Sequence, residues 1–208
     1  MAHTHDHDHP HDPIEHGGKP GDYEFLAEAM RQLLIEKNVF TADELRGQID
    51  KMDSRSPALG ARMVARAWTD PAYKKRLLAD GSAAAEELLG ISVAPLRLIA
   101  VENTDRLHNM IVCTLCSCYP RNVLGLPPDW YKSRDYRSRA VSEPRAVLAE
   151  FGTRIPDDVA VRVHDSTADM RYLVLPARPA GTEGWSEERL AAIVTRDAMV
   201  GVTVPRVK

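Results

Sequence analysis

The 208-residue sequence has few cysteines, no long hydrophobic run and little net charge. Its three cysteines all lie between residues 113 and 118, which excludes a disulfide framework and indicates metal or thiol chemistry. No apolar run approaches the roughly 18 to 20 residues that cross a bilayer, and the first residues do not resemble an export signal. With 27 basic and 30 acidic residues, the composition does not favour a nucleic-acid-binding protein. We therefore expect a cytoplasmic protein without a membrane or nucleic-acid partner.

Residues 1 to 20 form a histidine-rich tail. Histidine stands at every second position from His3 to His11. The segment has almost no apolar side chains to bury, so we expect it to be disordered. Imidazole groups bind late transition metals. The tail is therefore interpreted either as a weak collector of metal ions or as a plain solvated segment.

Residues 21 to 90 have the pattern of a helical arm. Apolar side chains recur at helical spacing from Asp22 to Lys37. Thr41 and Glu44 have the spacing of a capping box, which predicts the start of a second helix. Two further helices are expected, one from Leu59 to Trp68 and one from Asp70 and Pro71 to just before Gly81.

Residues 91 to 208 contain short runs rich in β-branched side chains, which alternate with helical segments. This order predicts an α+β fold, in which a layered α/β/α-type domain carries the metal site and follows the helical arm. The expected strands cover residues 96–101, 109–112, 159–163, 172–175 and 200–204, and the expected helices cover residues 143–151 and 186–195.

Cys113, Cys116 and Cys118 have the spacing Cys-x-x-Cys-x-Cys. Structural zinc sites and most iron–sulfur sites take four protein ligands from separated pairs, and this sequence supplies only half of such a set. The number of metal ligands is sufficient if main-chain amides also bind the metal. The nitrogens of Ser117 and Cys118 and the sulfurs of Cys116 and Cys118 then give four near-planar donors. Cys113 then takes an axial position, and a sixth position stays open for water or substrate. The negative charge of this set requires a trivalent metal ion and nearby cations.

The segment from Val112 to Pro120 resembles the metal-binding claw of nitrile hydratase alpha subunits. The stretch from Gly125 to Ser133, the triplet Glu143-Pro144-Arg145 and the stretch from Arg178 to Trp185 resemble that family too, and the resemblance covers residues 23 to 205. It implies the alpha-subunit fold and a lyase that hydrates nitriles to amides. It also implies a beta subunit, in an αβ or α2β2 assembly, without which the chain is inactive.

The resemblance further implies a cofactor and the roles of site residues. Threonine at the position of Thr114 accompanies non-corrin cobalt in the family and serine accompanies iron, so one cobalt(III) ion per chain is expected in preference to iron(III). The expected metal ligands are Cys113, Cys116, Ser117 and Cys118. By analogy Cys116 becomes a sulfinic acid and Cys118 a sulfenic acid, while Cys113 stays a thiolate. Cys118 and Ser117 are the expected catalytic residues, and an activator protein is a possible source of cobalt.

Two alternatives stay open. Arg121, directly after Tyr119 and Pro120, also occurs in the gamma-type subunit of thiocyanate hydrolase, a relative with the same claw that converts thiocyanate to carbonyl sulfide and ammonia. The thiol cluster and the histidine-rich tail would also suit a metal-binding or redox-sensing protein without enzyme activity. In either enzyme, arginines of a second subunit would bind the oxidised sulfurs. Candidate contacts of this chain with that subunit are Arg137, Arg139 and Arg171.

Overall fold

The computed structural model describes residues 21–116 and 118–207, so the histidine-rich tail and Ser117 lie outside the described residues. The chain divides into two compact units, with the division between Gln48 and Ile49. No helix among the described residues is long and apolar enough to cross a membrane.

Two helices account for most of residues 21 to 53. Helix α1 covers Asp22–Glu36 and helix α2 covers Ala42–Asp53. The capping box that the sequence predicts is present, because Glu44 Oε2 accepts from Thr41 N at 2.7 Å and Thr41 Oγ1 accepts from Glu44 N at 3.1 Å. The start of α2 is therefore confirmed.

The next three helices follow one another with single-residue breaks. They are α3 (Pro57–Thr69), α4 (Pro71–Ala79) and α5 (Gly81–Leu89). The Asp70 carboxylate accepts from the first free amides of α4, and the Asp80 carboxylate does the same for α5. The sequence pattern does not predict α5, because a glycine after the end of a helical run is typical of a helix end.

These helices pack with the strands in one compact unit that begins at Ile49. Met63 and Val64 of α3 and Leu77 of α4 are fully buried, and α4 and α5 both contact the first strand. Helices α3 to α5 thus belong to the same compact unit as the strands.

Four strands form two parallel pairs. Strand β1 (Arg97–Glu102) pairs with β4 (Met170–Leu175), and β2 (Leu107–Val112) pairs with β3 (Ala160–Asp165). The β2 and β4 strands also contact each other. Four of the predicted strands and the α+β class are thus confirmed.

Six short helices complete the unit. Between β2 and β3 lie α6 (Arg121–Leu124), α7 (Asp129–Lys132), α8 (Arg134–Ser142) and α9 (Pro144–Glu150), and after β4 lie α10 (Glu187–Ala192) and α11 (Arg196–Val200). The predicted helices near residues 143–151 and 186–195 are confirmed.

The predicted strand at residues 200–204 is wrong. Val200 ends α11, whose first turn is capped by the Thr195 hydroxyl, which accepts from Ala198 N. Gly201 then adopts a φ of 90°, a left-handed conformation that reverses the chain. Val200 and Val202 are buried by tertiary packing and do not belong to a sheet, so strand propensity misled the prediction.

A cluster of aromatic rings supports the chain after the cysteine segment. Tyr119 and Tyr131 have ring centroids 5.0 Å apart, and Trp130 lies 4.8 Å from both Tyr136 and Phe151. Edge-to-face contacts of this kind add to the burial of the rings. The cluster joins α7, α8 and the end of α9 to the segment that follows the cysteines.

Candidate metal centre

The three cysteines lie where β2 ends. Val112 is the last residue of β2, and Cys113 directly after it is buried. Strand β3 runs parallel to β2 with Asp165 opposite Val112. Because the carboxyl ends of parallel strands meet at the same edge, Asp165 is placed beside the cysteine segment.

The segment turns back so that the three sulfurs converge. The Sγ atoms of Cys113 and Cys116 are 3.3 Å apart, those of Cys116 and Cys118 are 3.0 Å apart, and all three lie within 4.8 Å of one another. The main-chain nitrogen of Cys116 donates to Cys113 Sγ at 3.3 Å. The structure thus brings together three of the four residues that the sequence predicted as metal ligands, and the part of Ser117 stays a prediction.

The electrostatics of the cluster suit a bound cation. Burial and the neighbouring thiols of Cys116 and Cys113 raise the pKa of the Cys118 thiol to about 12, whereas Arg171 acts in the opposite direction. A metal ion reverses this balance because it binds thiolates in place of their protons. Three sulfurs this close can all be ionised only around a positive charge, so the donor set fits a metal ion.

Asp165 fixes the first turn of the cysteine segment. Its Oδ1 accepts from Thr114 N at 3.0 Å, and its Oδ2 accepts from Thr114 Oγ1 at 2.5 Å. The carboxylate therefore bridges the end of β3 to the residue between Cys113 and the rest of the cluster.

Three other side chains hold the main chain of this region. Tyr131 Oη donates to Cys118 O at 2.9 Å, Tyr136 Oη donates to Ile111 O at 2.7 Å, and Arg137 Nη1 donates to Cys116 O at 3.3 Å. Burial raises the pKa of both tyrosines well above the ordinary value, so the phenols remain donors. Sequence reasoning missed both tyrosines, since nothing in the pattern links positions 131 and 136 to the cysteines.

The arginines proposed as contacts with a second subunit differ in their surroundings. Arg139 is engaged within the chain, with ion pairs to Glu143 and Glu150. Arg137 lies over the cysteine segment, and Arg171 lies near Cys118. Only the last two are therefore placed to act at the cluster.

A cavity of about 310 Å³ adjoins the cluster. Cys116 and Cys118 form part of its wall, and three arginines contribute as well. This volume is at the lower end of the range for small-molecule sites. The lining residues are Val93, Leu96, Arg97, Leu98, Cys116, Cys118, Tyr119, Pro120, Arg121, Asn122, Val123 and Arg171.

Comparison with known proteins decides the family. The family model described as nitrile hydratase, alpha chain, matches residues 21–203. This chain belongs to that family. The match spans the helices of the first unit, both strand pairs and the cysteine segment, so it confirms the family that the sequence motifs indicated.

Relatives of this nitrile hydratase alpha-chain family member include nitrile hydratase alpha subunits and a thiocyanate hydrolase gamma subunit. The low-molecular weight cobalt-containing nitrile hydratase subunit alpha of Rhodococcus rhodochrous is 48% identical, over 94% of this chain and 96% of that protein. The thiocyanate hydrolase subunit gamma of Thiobacillus thioparus is 44% identical, over 89% of this chain and 81% of that protein. A solved structure of recombinant thiocyanate hydrolase comprising partially modified cobalt centers gives a TM-score of 0.85 with 44% identity, over 90% of this chain and 92% of that one.

Proposed function

We propose that this chain is the metal-binding subunit of a cobalt nitrile hydratase, which converts a nitrile and water to an amide. The observation that carries the proposal is the convergence of the Cys113, Cys116 and Cys118 sulfurs beside a cavity of small-molecule size. Family membership supports the reaction class. A purely structural metal site would not need such a cavity.

Cobalt(III), one ion per chain, is the proposed cofactor. Thr114 stands at the position where the family resemblance associates threonine with cobalt, and the name of the Rhodococcus rhodochrous relative includes cobalt. Its ligands would be the sulfurs of Cys113, Cys116 and Cys118 with the main-chain nitrogens of Ser117 and Cys118. When bound, the ion supplies Lewis acidity toward the nitrile nitrogen or toward water.

The proposed oxidation of the cysteines agrees with their exposure. Cys113 is buried, Cys118 is half-buried and Cys116 is exposed. Oxidation of a thiol requires access of the oxidant, so the two outer sulfurs are the ones expected to become a sulfenic acid at Cys118 and a sulfinic acid at Cys116. Cys113 remains a thiolate in this proposal.

In the proposed reaction, the nitrile carbon gains an oxygen and the nitrile nitrogen gains two protons, so one water molecule balances the change. The attacking oxygen is either the sulfenate oxygen of Cys118, which water then replaces, or a water molecule that Cys118 orients. Ser117 is proposed to orient the substrate or the oxidised sulfurs. Tyr131, through its bond to Cys118 O, fixes the main chain that carries the reacting group.

A beta subunit is the proposed partner. Leu115, which directly precedes Cys116, is 90% exposed and so is available for contact with a second protein. Oxidised sulfurs also need donors, which arginines of a partner would supply. We propose an αβ or α2β2 assembly, with an activator protein as a source of cobalt, and expect the chain alone to be inactive.

The proposed location of the protein is the cytoplasm. Three closely spaced thiols favour a reducing compartment, in which disulfide bonds do not form readily.

Thiocyanate hydrolysis is the second candidate. Arg121 lines the cavity beside Cys116 and Cys118, where a guanidinium group would attract the thiocyanate anion. The thiocyanate hydrolase subunit gamma of Thiobacillus thioparus is among the relatives. Nitrile hydration is preferred because a relative named as a nitrile hydratase alpha subunit is the more similar of the two.

One experiment separates the two reactions. The chain is co-expressed with its beta partner in medium containing cobalt, and the complex is supplied with propionitrile or with thiocyanate. Propionamide should form much faster than carbonyl sulfide. Carbonyl sulfide as the main product would establish the second candidate, and absence of both products, with no other nitrile hydrated either, would reject the proposal. The chain expressed alone is the control and should be inactive.

A further inference from the structure

Three arginines of the cavity form what we call the arginine wall, consisting of Arg97, Arg121 and Arg171. Arg97 is the first residue of β1, Arg171 is the second residue of the neighbouring strand β4, and Arg121 begins α6. Elements from three parts of the chain thus each contribute an arginine to the lining of one cavity of about 310 Å³. Every charged residue in the described lining is basic.

The arginine wall lacks internal counter-ions. Within residues 21–116 and 118–207, none of its members forms an ion pair with a carboxylate, whereas Arg76 pairs with Glu87. Only part of the hydrogen-bonding capacity of Arg171 is used. Its Nη1 donates to main-chain carbonyls that include Ala168 O, but its Nε is buried without a hydrogen-bond partner. A buried guanidinium nitrogen without a partner favours an added acceptor.

The rest of the cavity suits a short aliphatic chain. Apolar side chains of Val93, Leu96, Leu98 and Val123 share the lining with the arginine wall. Cys116 and Cys118 also border the cavity. A ligand inside therefore meets apolar surface, cationic groups and the sulfur cluster together.

We propose that the cavity selects nitriles that carry a carboxylate, with the carboxylate on the arginine wall and the nitrile toward Cys116 and Cys118. Guanidinium groups bind carboxylates through paired, charge-assisted hydrogen bonds, and a neutral substrate cannot form such bonds. The apolar side chains accommodate the methylene groups between the two ends. The inference rests on the proposed nitrile hydration and names its substrate class.

A role of the arginine wall in balancing the charge of the sulfur cluster leads to a different expectation. In that case the arginines would stabilise the centre equally for every substrate. Replacing one of them would lower turnover of neutral and anionic nitriles by the same factor. A matched pair of substrates that differ only in charge therefore separates the two roles.

The test compares 4-cyanobutanoate with 4-cyanobutanamide, which has nearly the same shape and no charge. In the cobalt-loaded complex, kcat/KM for 4-cyanobutanoate should exceed that for the amide. Arg121→Gln should lower kcat/KM for the anion about tenfold, mainly through KM, and should change that for the neutral substrate less than about twofold. Arg97→Gln repeats the test from another element. Arg62→Gln, at an exposed arginine of α3 outside the cavity, is the control and should change neither.

A binding measurement accompanies the kinetics. Pentanoate, which lacks the nitrile, should bind the complex more tightly than pentanamide, and Arg121→Gln should remove the difference. Equal kcat/KM values for the two cyano compounds, or equal binding of the two probes, would overturn the inference while nitrile hydration stands. Turnover of thiocyanate without turnover of 4-cyanobutanoate would overturn it in favour of the second candidate. If no nitrile is hydrated, the proposed function fails and this inference fails with it.

Discussion

Asp165 and Thr114, 51 residues apart in the chain, are joined by two hydrogen bonds. One carboxylate oxygen accepts from Thr114 N at 3.0 Å and the other accepts from Thr114 Oγ1 at 2.5 Å. The pairing follows from the parallel register of β2 and β3, which sets Asp165 opposite Val112. The residue after the first cysteine is therefore anchored to a strand before the segment turns toward Cys116.

Asp165→Asn should loosen the cysteine segment. The amide can accept one hydrogen bond but loses the charge that strengthens both, so we expect a stability loss of about 1 kcal/mol and weaker metal retention. Thermal unfolding and cobalt content after dialysis against a chelator measure the two effects. Asp157→Asn, at an exposed carboxylate before the start of β3, is the matched control. Equal cobalt retention in both variants would argue against the anchoring role of Asp165.

The candidate site was predictable from the sequence only in part. The spacing of Cys113, Cys116 and Cys118 is local, so it indicated the sulfur cluster directly. The contribution of Asp165 depends on the pairing of β2 with β3, and no short-range pattern reports which strands become neighbours. The same reason explains why the cavity arginines, which come from β1, α6 and β4, could not be grouped in advance.

Tyr131→Phe should affect the metal centre more than the fold. The variant keeps the packed ring but leaves Cys118 O without its phenol donor, and the expected loss of stability is about 1 kcal/mol. Because Cys118 is a proposed ligand through both sulfur and nitrogen, the cobalt content should also fall. Tyr172→Phe, on β4 with its ring centroid 5.0 Å from that of His164, is the control and should retain its cobalt. Unchanged cobalt content in Tyr131→Phe would contradict the positioning role of the phenol.

Gly201→Ala should be strongly destabilising. A Cβ at this position would collide with Asn109 O and lie 2.9 Å from Met110 Cα, in a residue whose φ is 90°. We expect a loss of about 2 to 4 kcal/mol in the free energy of unfolding. Gly90→Ala is the control, because Gly90 also has a positive φ of 66° but no atom within 4 Å of the added Cβ. Equal losses in the two variants, measured by urea unfolding, would mean that backbone strain and not the close approach is the cause.

The helices and strands, like the site, were predictable only where their signals lie close together in the sequence. Helices α1 to α4 were predicted because apolar spacing and end signals such as Asp70 lie within a few residues of each other. Helix α5 was missed since Gly81 looks like a terminator, although Asp80 caps it as a new first turn. The segment at Val200 was predicted as a strand because the packing that places Gly201 against β2 is non-local.

Buried His108 is expected to make stability depend on pH. Its Nε2 donates to Gly201 O at 2.7 Å, and its Nδ1 faces Asn103 Nδ2 at 3.2 Å, so the ring accepts there and is neutral. Burial lowers the pKa of His108 below the ordinary 6.5. The unfolded chain then binds the proton first as the pH falls. The contribution to stability is therefore complete above about pH 6.5 and is lost progressively below it.

His108→Gln tests this dependence. The free energy of unfolding of the natural chain should fall between about pH 7 and pH 5.5, and the variant should show a shallower decrease, by up to about 1.4 kcal/mol per pH unit. Part of the change of the free energy of unfolding with pH should remain in the variant, because burial also lowers the pKa of His164. Urea titrations at several pH values give both slopes. Parallel slopes in the two proteins would contradict the assignment to His108.

Mass spectrometry of the loaded complex decides whether the cysteine segment holds a cobalt claw. The complex with the beta subunit is purified from cobalt-supplemented cells, its cobalt is quantified, and the peptide that contains residues 113–118 is weighed and fragmented. A cobalt claw requires one cobalt per chain, two added oxygens on Cys116, one on Cys118 and none on Cys113. Unmodified cysteines in a complex without cobalt would contradict it.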